Sequence, residues 1–489
     1  MIITTSHCIT TPKQCVETRD LPGRPQKNPK EISMLPYSIF SFIDDHRERF
    51  VHELADFLAI PSVSTLSEHE KDIAKAAEWV LDKIRKCGFN AKIYPTEGHP
   101  VVLGRSPEVP GAPVLLIYGH YDVQPPDPLD EWQTPAFSPD IRDGYIYARG
   151  ATDDKGQFLA YLKAIEAMLG EGQGVPLNLI VLAEGEEEIG SPNLEKFLMQ
   201  HKDELCADAA AISDGSQFAH GIPAITYGLR GLSYLQVDMQ GPRFDLHSGS
   251  FGGILDNPAQ ALADILQKLK APDGTVALPG FYADVLPLED WEREEMASLP
   301  IDLQSMKDYL GISGFSGEPG YSFLERKSAR PTFDINGLWG GFSGEGAKTI
   351  IPAKAGAKVS MRLVPNQVPE KIDRLFREFV TATCPTGVNV KITSLHGADP
   401  VLVPRNTPAM LAAQRAIEIG FGKKPVFIRE GGSIPVVNMI KKHLGQENIL
   451  LLGWGSPDDG AHSPNERFCI EDFYRAIRST AALFSEMAG

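Results

Sequence analysis

The sequence predicts an α/β protein, a mostly parallel sheet sandwiched by helices, into which a smaller α+β domain is inserted. Three observations carry this. Short continuous apolar runs alternate with amphipathic helical stretches in the first half of the chain, and the same alternation returns near its end. Between the two lies a region whose strands alternate apolar and polar residues. Continuous apolar strands are buried on both faces, as in a helix-covered parallel sheet, whereas alternating strands leave one face open or shared. A chain of 489 residues also exceeds what one core holds, so two large units are expected.

In chain order, residues 1–34 are polar, contain proline and show no period, and are read as a disordered extension. Met34 is an alternative start that mass spectrometry of the native protein would reveal. The main domain is assigned to 35–230 and 400–489. It opens with apolar residues at helical spacing over 40–60, then a second amphipathic helix over 71–87 that stops at Gly88. An apolar strand at 113–123, a helix at 155–169, a strand at 177–188 and a strand at 209–214 follow. The pattern resumes with a helix at 407–419, a strand at 425–430, a helix at 436–444, a strand at 448–454 and a helix at 471–487. The insert, 231–399, reads strand 232–241, helix 257–270, strand 357–365, helix 369–383 and strand 389–397. Its middle, 272–331, is rich in Gly, Pro and acid, and no element is assigned there.

Lys plus Arg number 47 against 64 for Asp plus Glu, a formal net charge of −17. That argues against nucleic acid as a partner, because phosphate binding needs a basic surface. No apolar run approaches the roughly 20 residues that span a bilayer, and no membrane association is expected. The six cysteines are scattered without a CxxC pair, which points to reduced thiols and the cytoplasm.

The chemistry-bearing residues cluster at the ends of predicted core strands, where ligand sites of open α/β sheets lie. His120 and Asp122 end one strand and, two apart, face the same side. Asp153 and Asp154 stand just before a helix, Glu186, Glu187 and Glu188 follow another strand, Asp214 ends a third, and His462 follows the last. Each has an ordinary alternative. A lone His at a strand end is commonly a hydrogen-bonded surface residue. The aspartates suit helix caps, the glutamates a helix start, and Asp214 a turn. Together, five such ends on one sheet edge point to a metal site. Oxygen and imidazole donors without thiolate suit Zn²⁺, Mn²⁺ or Co²⁺.

The runs His120-Tyr121-Asp122-Val123-Gln124-Pro125, Arg149-Gly150-Ala151-Thr152-Asp153-Asp154-Lys155-Gly156 and Glu184-Gly185-Glu186-Glu187-Glu188 resemble the M20 metallopeptidases, in particular the carnosinase and cytosolic nonspecific dipeptidase branch. The resemblance runs from about residue 42 onward. It implies a zinc-exopeptidase-like catalytic domain with a ferredoxin-like lid and dimerisation domain. It implies two divalent ions per subunit, Zn²⁺ first, with Mn²⁺ and Co²⁺ as alternatives. Asp153 would bridge them, His120 and Asp214 would complete one site, and Glu188 and His462 the other. Asp122 would orient the site, and a cis peptide would join Asp153 to Asp154. Glu187 would be the general base on a metal-bridging hydroxide, whose formation near neutral pH is what two cations promote. The Glu triplet admits a shift by one, and Gly190-Ser191 anchors the register used here.

From the insert, the resemblance implies that His247 reaches into a partner subunit and stabilises the oxyanion, a contact of a kind worth about 3–4 kcal/mol. Thr349, Arg362 and His396 would contact substrate, Arg362 as a planar fork for a carboxylate. Gly432 and Ser433, after a core strand, would offer backbone donors at a helix start. The plain alternatives are a turn for His247, a surface charge for Arg362 and a tight turn for Gly432-Ser433. The implied activity is hydrolysis of dipeptides or short peptides by a homodimer. An N-acyl amino acid amidohydrolase (deacylase, carbamoylase or desuccinylase) is the second reading, and an inactive binding protein of the same fold the third.

Overall fold

The computed structural model describes residues 37–489. The extension at 1–34 lies outside the described residues. A nine-stranded sheet forms the main body, and its path runs Asn90–Tyr94, Val101–Arg105, Asn178–Glu184, Val114–His120, Ala209–Ile212, Ile449–Gly453, Ala224–Leu229 and Val401–Leu402, with Val426–Glu430 also pairing to Ala224–Leu229. The four central strands from Asn178–Glu184 to Ile449–Gly453 run parallel. The flanking hairpin and the opposite side of the sheet are largely antiparallel. Ala209–Ile212 and Ile449–Gly453 are buried at every residue, as their apolar runs require. The edge pairs and Ala224–Leu229 escaped the sequence reading because they are short and border Gly- or Pro-containing turns.

Helices pack on this sheet and on one another. Lys155–Gly170 is buried nearly all round and lies against Ile470–Ala488, which in turn packs on Pro408–Phe421. Arg47–Leu58 docks on Lys155–Gly170 through a charged knot. The Glu53 carboxylate accepts from Lys83 at 2.5 Å and from Lys163 at 2.6 Å, and Lys163 also meets Glu166 at 2.7 Å. Burial opposes the Glu53 charge, but the two ammonium groups outweigh it and hold the carboxyl down at about 2.

The insert has its own core. Its sheet is antiparallel, in the order Thr332–Gly340, Lys354–Leu363, Gly231–Gln240 and Asn389–Ala398. With helices Pro258–Lys268 and Pro369–Thr383 the chain order is βαββαβ, the ferredoxin-like arrangement. Leu235, Val237, Val359 and Met361 from the strands meet Leu262, Ile265, Ile372 and Phe376 from the helices. The sequence reading found three of these four strands. Thr332–Gly340 was missed because most of its residues are exposed, so it has no apolar alternation to read. The unassigned stretch 272–331 contains helices Asp290–Ser298, Leu303–Leu310 and Phe323–Ser328, short elements set by polar caps rather than by an apolar face. It touches the main domain where Glu292 accepts from Tyr227 at 2.8 Å and pairs with Arg429. Arg230 alone separates the core strand Ala224–Leu229 from the lid strand Gly231–Gln240. Among the described residues no helix is long and apolar enough to cross a membrane.

The Glu53 knot gives a pH test. A depressed carboxyl contributes stability above its unfolded value and loses it as pH falls toward its folded value. Glu53→Gln is expected to be less stable than the parent at pH 7 by about 2–3 kcal/mol in urea unfolding. The gap should close as pH falls from about 4.5 toward 2. A gap independent of pH would contradict this account.

Candidate metal centre

His120 ends the buried central strand Val114–His120. Its Nδ1 lies 3.1 Å from the carbonyl oxygen of Asp122, which can only accept, so Nδ1 carries the proton. Nε2 therefore points toward Asp153 Oδ1, 3.1 Å away, with its lone pair available to a cation. The Asp122 carboxylate is fully buried and accepts from the backbone N–H groups of Glu187 (3.3 Å) and Glu188 (3.1 Å). One residue thus orients both the histidine and the Glu loop.

Asp153 stands just before a helix, as the sequence indicates, but not at the end of a main-sheet strand. It does not follow a core strand: a small antiparallel sheet of Asp140–Arg142, Tyr145–Tyr147 and Arg467–Cys469 precedes it in space, and Asp153 sits in the loop entering Lys155–Gly170. The Asp153–Asp154 peptide is cis. While Oδ1 of Asp153 faces His120, Oδ2 lies 3.0 Å from His462 Nε2. His462 is also 3.2 Å from Glu188 Oε2, to which Gln124 donates at 2.8 Å.

The three glutamates take three different places. Glu186 accepts from the His99 N–H at 2.8 Å and from the backbone and side chain of Asn193, so its carboxylate is occupied in the loop. Glu187 groups with His120 and Asp214, and Glu188 with Asp153 and His462; within each trio the ligand atoms lie within 4.8 Å of one another.

The donor set fits two divalent cations. His120, Asp153, Glu188, Asp214 and His462 would hold them. Glu188 Oε1 is buried with no hydrogen-bond partner, an orphan acceptor that a cation would satisfy. Without cations, protons must serve instead. Burial pushes Asp214 well above the carboxylate range and Glu187 up to about 7. Hydrogen bonds to Asp153 and Glu188 lift His462 up to about 10.

Gly432 and Ser433 line a pocket of about 300 Å³ together with Asp153, Asp214 and Glu430. Thr226 faces this pocket. Its neighbour Tyr227 faces a larger cleft of about 650 Å³ that contains no such trio, so the two lie on opposite faces of one strand. The lid residues stand apart from the metal trios. His247 and Thr349 are exposed neighbours on the two-stranded ribbon Leu246–His247 with Ile350–Ile351, and His247 Nδ1 accepts from the Gly249 N–H. Arg362 lies across from Leu232 on the face of the lid sheet turned away from its helices. His396 lies opposite Tyr234, its ring 5.1 Å away, beside the cleft between lid and main domain.

Comparison with known proteins decides the family. The model described as peptidase family M20/M25/M40 matches residues 116–486. The chain belongs to that family. It is a metal-dependent hydrolase of the M20 type. It is 33% identical to a Cys-Gly metallodipeptidase of Schizosaccharomyces pombe over 467 residues, 92% of this chain and 98% of the relative. It is 32% identical to the human Beta-Ala-His dipeptidase, covering 94% of each. Among solved structures, the M20 metallo-carboxypeptidase Sso-CP2 of Sulfolobus solfataricus superposes with a TM-score of 0.81 at 34% identity, covering 90% of this chain and 99% of that one.

Sequence reasoning overlooked two parts of this M20 site. Gln124 was quoted in a motif but given no task, yet it holds Glu188. Glu466, four residues beyond His462, receives no role from the sequence, although it is fully buried. Its accepting role depends on loop geometry, which leaves no periodic signal.

Because burial raises the proton affinity of Asp214 and Glu187 and hydrogen bonds raise that of His462, binding of cations should release protons. Titration calorimetry with Zn²⁺ or Mn²⁺ at pH 7, in buffers of different ionisation enthalpy, is expected to show about one to two protons released per chain. Affinity should rise between about pH 6 and 9 as His462 and Glu187 become easier to deprotonate. A buffer-independent heat would contradict this electrostatic description.

Proposed function

We propose that the protein is a di-metal dipeptidase acting on short peptides with a free carboxylate. One observation carries the reading: the two oxygens of Asp153 face two different histidines, His120 and His462, as a carboxylate shared between two ions must. When bound, the cations supply Lewis acidity, polarising the scissile carbonyl and making water nucleophilic near neutral pH.

The chain's own residues do the rest. Glu187 takes the proton of the attacking water and hands it to the leaving amine. Its place beside Asp214 and His120, within the same trio, supports that task. Asp122 orients His120 and, through two N–H groups, the Glu187-Glu188 turn. Arg362, Thr349 and His396 from the lid and Gly432-Ser433 from the pocket wall bind the substrate and its carboxylate. The names of the Cys-Gly and Beta-Ala-His relatives support a dipeptide substrate over an N-acyl amino acid. The carboxypeptidase name of the Sulfolobus relative favours a second reading, removal of single residues from longer peptides.

Assembly as a homodimer belongs to the same proposal. Thr332–Gly340 is an edge strand carrying exposed Ile335, Leu338 and Trp339, an apolar edge of the kind proteins cover. His247 is exposed and outside both trios, which supports its service to a partner subunit as oxyanion donor. Location in the cytoplasm is proposed as well, and the free thiols of Cys87, Cys384 and Cys469 support it.

Three outcomes are expected. Glu187→Gln should retain two metal equivalents and lose at least about 10³-fold in kcat, measured with metal content beside turnover; near-normal turnover would remove Glu187 from the base role. His247→Ala and Asp153→Ala should each be nearly inactive alone, and a mixture should regain activity as mixed dimers form. No recovery would place His247 in its own subunit's site. A panel of Cys-Gly, β-Ala-His, tripeptides and N-acetyl amino acids, each with Zn²⁺, Mn²⁺ and Co²⁺, should favour dipeptides. Preference for N-acetyl substrates would overturn the dipeptidase reading.

A further inference from the structure

Glu466 and Arg149 have no part in the ligand set, yet they form a fully buried ion pair between loops that carry it, with side-chain exposures of 0% and 1%. The Glu466 carboxylate is saturated. Oε2 accepts from Arg149 Nη1 at 2.8 Å and the Gly150 N–H at 2.9 Å. Oε1 accepts from the N–H groups of Thr152 at 2.9 Å and Asp153 at 3.1 Å. Arg149 also donates through Nη2 to the carbonyl of Pro125 at 3.1 Å. Pro125 directly follows Gln124, which holds Glu188. Glu466 itself lies four residues beyond His462.

The pair therefore ties three separate loops: the His120 to Pro125 loop, the loop carrying Asp153, and the loop carrying His462. Further contacts close the same seam. The Ala148 N–H donates to the Glu466 carbonyl at 3.0 Å, and a Cβ at Gly455 would fall 2.1 Å from Thr152 Oγ1. The loops touch so closely that any side chain at Gly455 would have to displace Thr152.

We infer that Glu466 is a positioning residue for the metal centre: it fixes the backbone of Asp153 so that one carboxylate serves both trios. A carboxylate is the group this task needs. It can accept two hydrogen bonds on each oxygen, and a charged acceptor binds backbone N–H groups more strongly than a neutral one. An amide in its place would turn an NH₂ toward two N–H donors. The ordinary alternative is a buried ion pair that only stabilises the fold. The two differ in what they do to metal affinity.

The inference rests on the di-metal reading, and the test separates the two. Metal content of the parent and of Asp153→Ala comes first. Two equivalents in the parent and a loss in Asp153→Ala uphold the reading; an unchanged content in Asp153→Ala sinks the reading itself. Glu466→Gln is then titrated with Zn²⁺ against a chromophoric chelator, with thermal midpoints taken in chelator and in metal. Both ions are expected to bind at least about tenfold more weakly, about 1.4 kcal/mol each, and the midpoint gained on adding metal should shrink. Glu53→Gln, which alters a buried carboxylate in the distant knot, should lower the midpoint and leave metal affinity unchanged. Affinities of Glu466→Gln within twofold of the parent, or equal loss of midpoint with and without metal, would overturn the inference. Should Glu466→Gln fail to fold, hydrogen exchange on the parent decides. The amides of Gly150, Thr152 and Asp153 should be protected in chelator as well as in metal, and rapid exchange in chelator would overturn the clamp.

Discussion

Like charges resist burial together, and that constraint organises this molecule. Asp153, Glu187, Glu188 and Asp214 gather with two imidazoles in two adjoining trios. One of their oxygens, Glu188 Oε1, is buried with no hydrogen-bond partner. Cations are the natural neutraliser, and the rest of the structure follows from holding anionic ligands still while none is free to turn away. Asp122 is fully committed to backbone N–H groups, Glu186 is drawn off to His99 and Asn193, and Glu466 braces a loop from behind. Each of these carboxylates is occupied by other donors and stands outside both trios.

Much of the fold was legible because its central strands are buried on both faces. Val114–His120, Asn178–Glu184, Ala209–Ile212 and Ile449–Gly453 have to be apolar throughout, and such runs stand out. The lid strands Gly231–Gln240 and Lys354–Leu363 were legible for the opposite reason, since burial alternates along them. Thr332–Gly340 has neither signature. Most of its residues face solvent, so no apolar alternation marks it in the sequence. The region 272–331 was opaque because its helices are short and held by capping boxes at Glu289 and Ser322 rather than by apolar stripes.

The site divided in the same way. His120, Asp214 and the glutamates end strands, and position alone singled them out. Asp153 stands before its helix, as the sequence indicates, and is reached through a small sheet that no apolar run announces. Glu466 and Gln124 were invisible as functional residues because their tasks are set by loops meeting in space. The lid residues occupy an intermediate position. Arg362 and His396 lie on the lid face opposite its helices, and only register places a residue on that face. A single residue, Arg230, joins the two sheets on the outward path, and its guanidinium donates to the carbonyl of Gly431 at 3.1 Å.

The place of Ile449–Gly453 in the sheet has a consequence for how the protein is made. This strand slots between Ala209–Ile212 and Ala224–Leu229, both synthesised long before it, and His462 follows it on the ribosome. Until it arrives, two apolar edges wait side by side with nothing between them, the kind of surface that nascent chains lose to aggregation or lend to chaperones. The lid can fold in the meantime on its own core. His462 follows that strand in the chain, so a chain stalled after the lid would lack both the strand that fills the gap and this histidine.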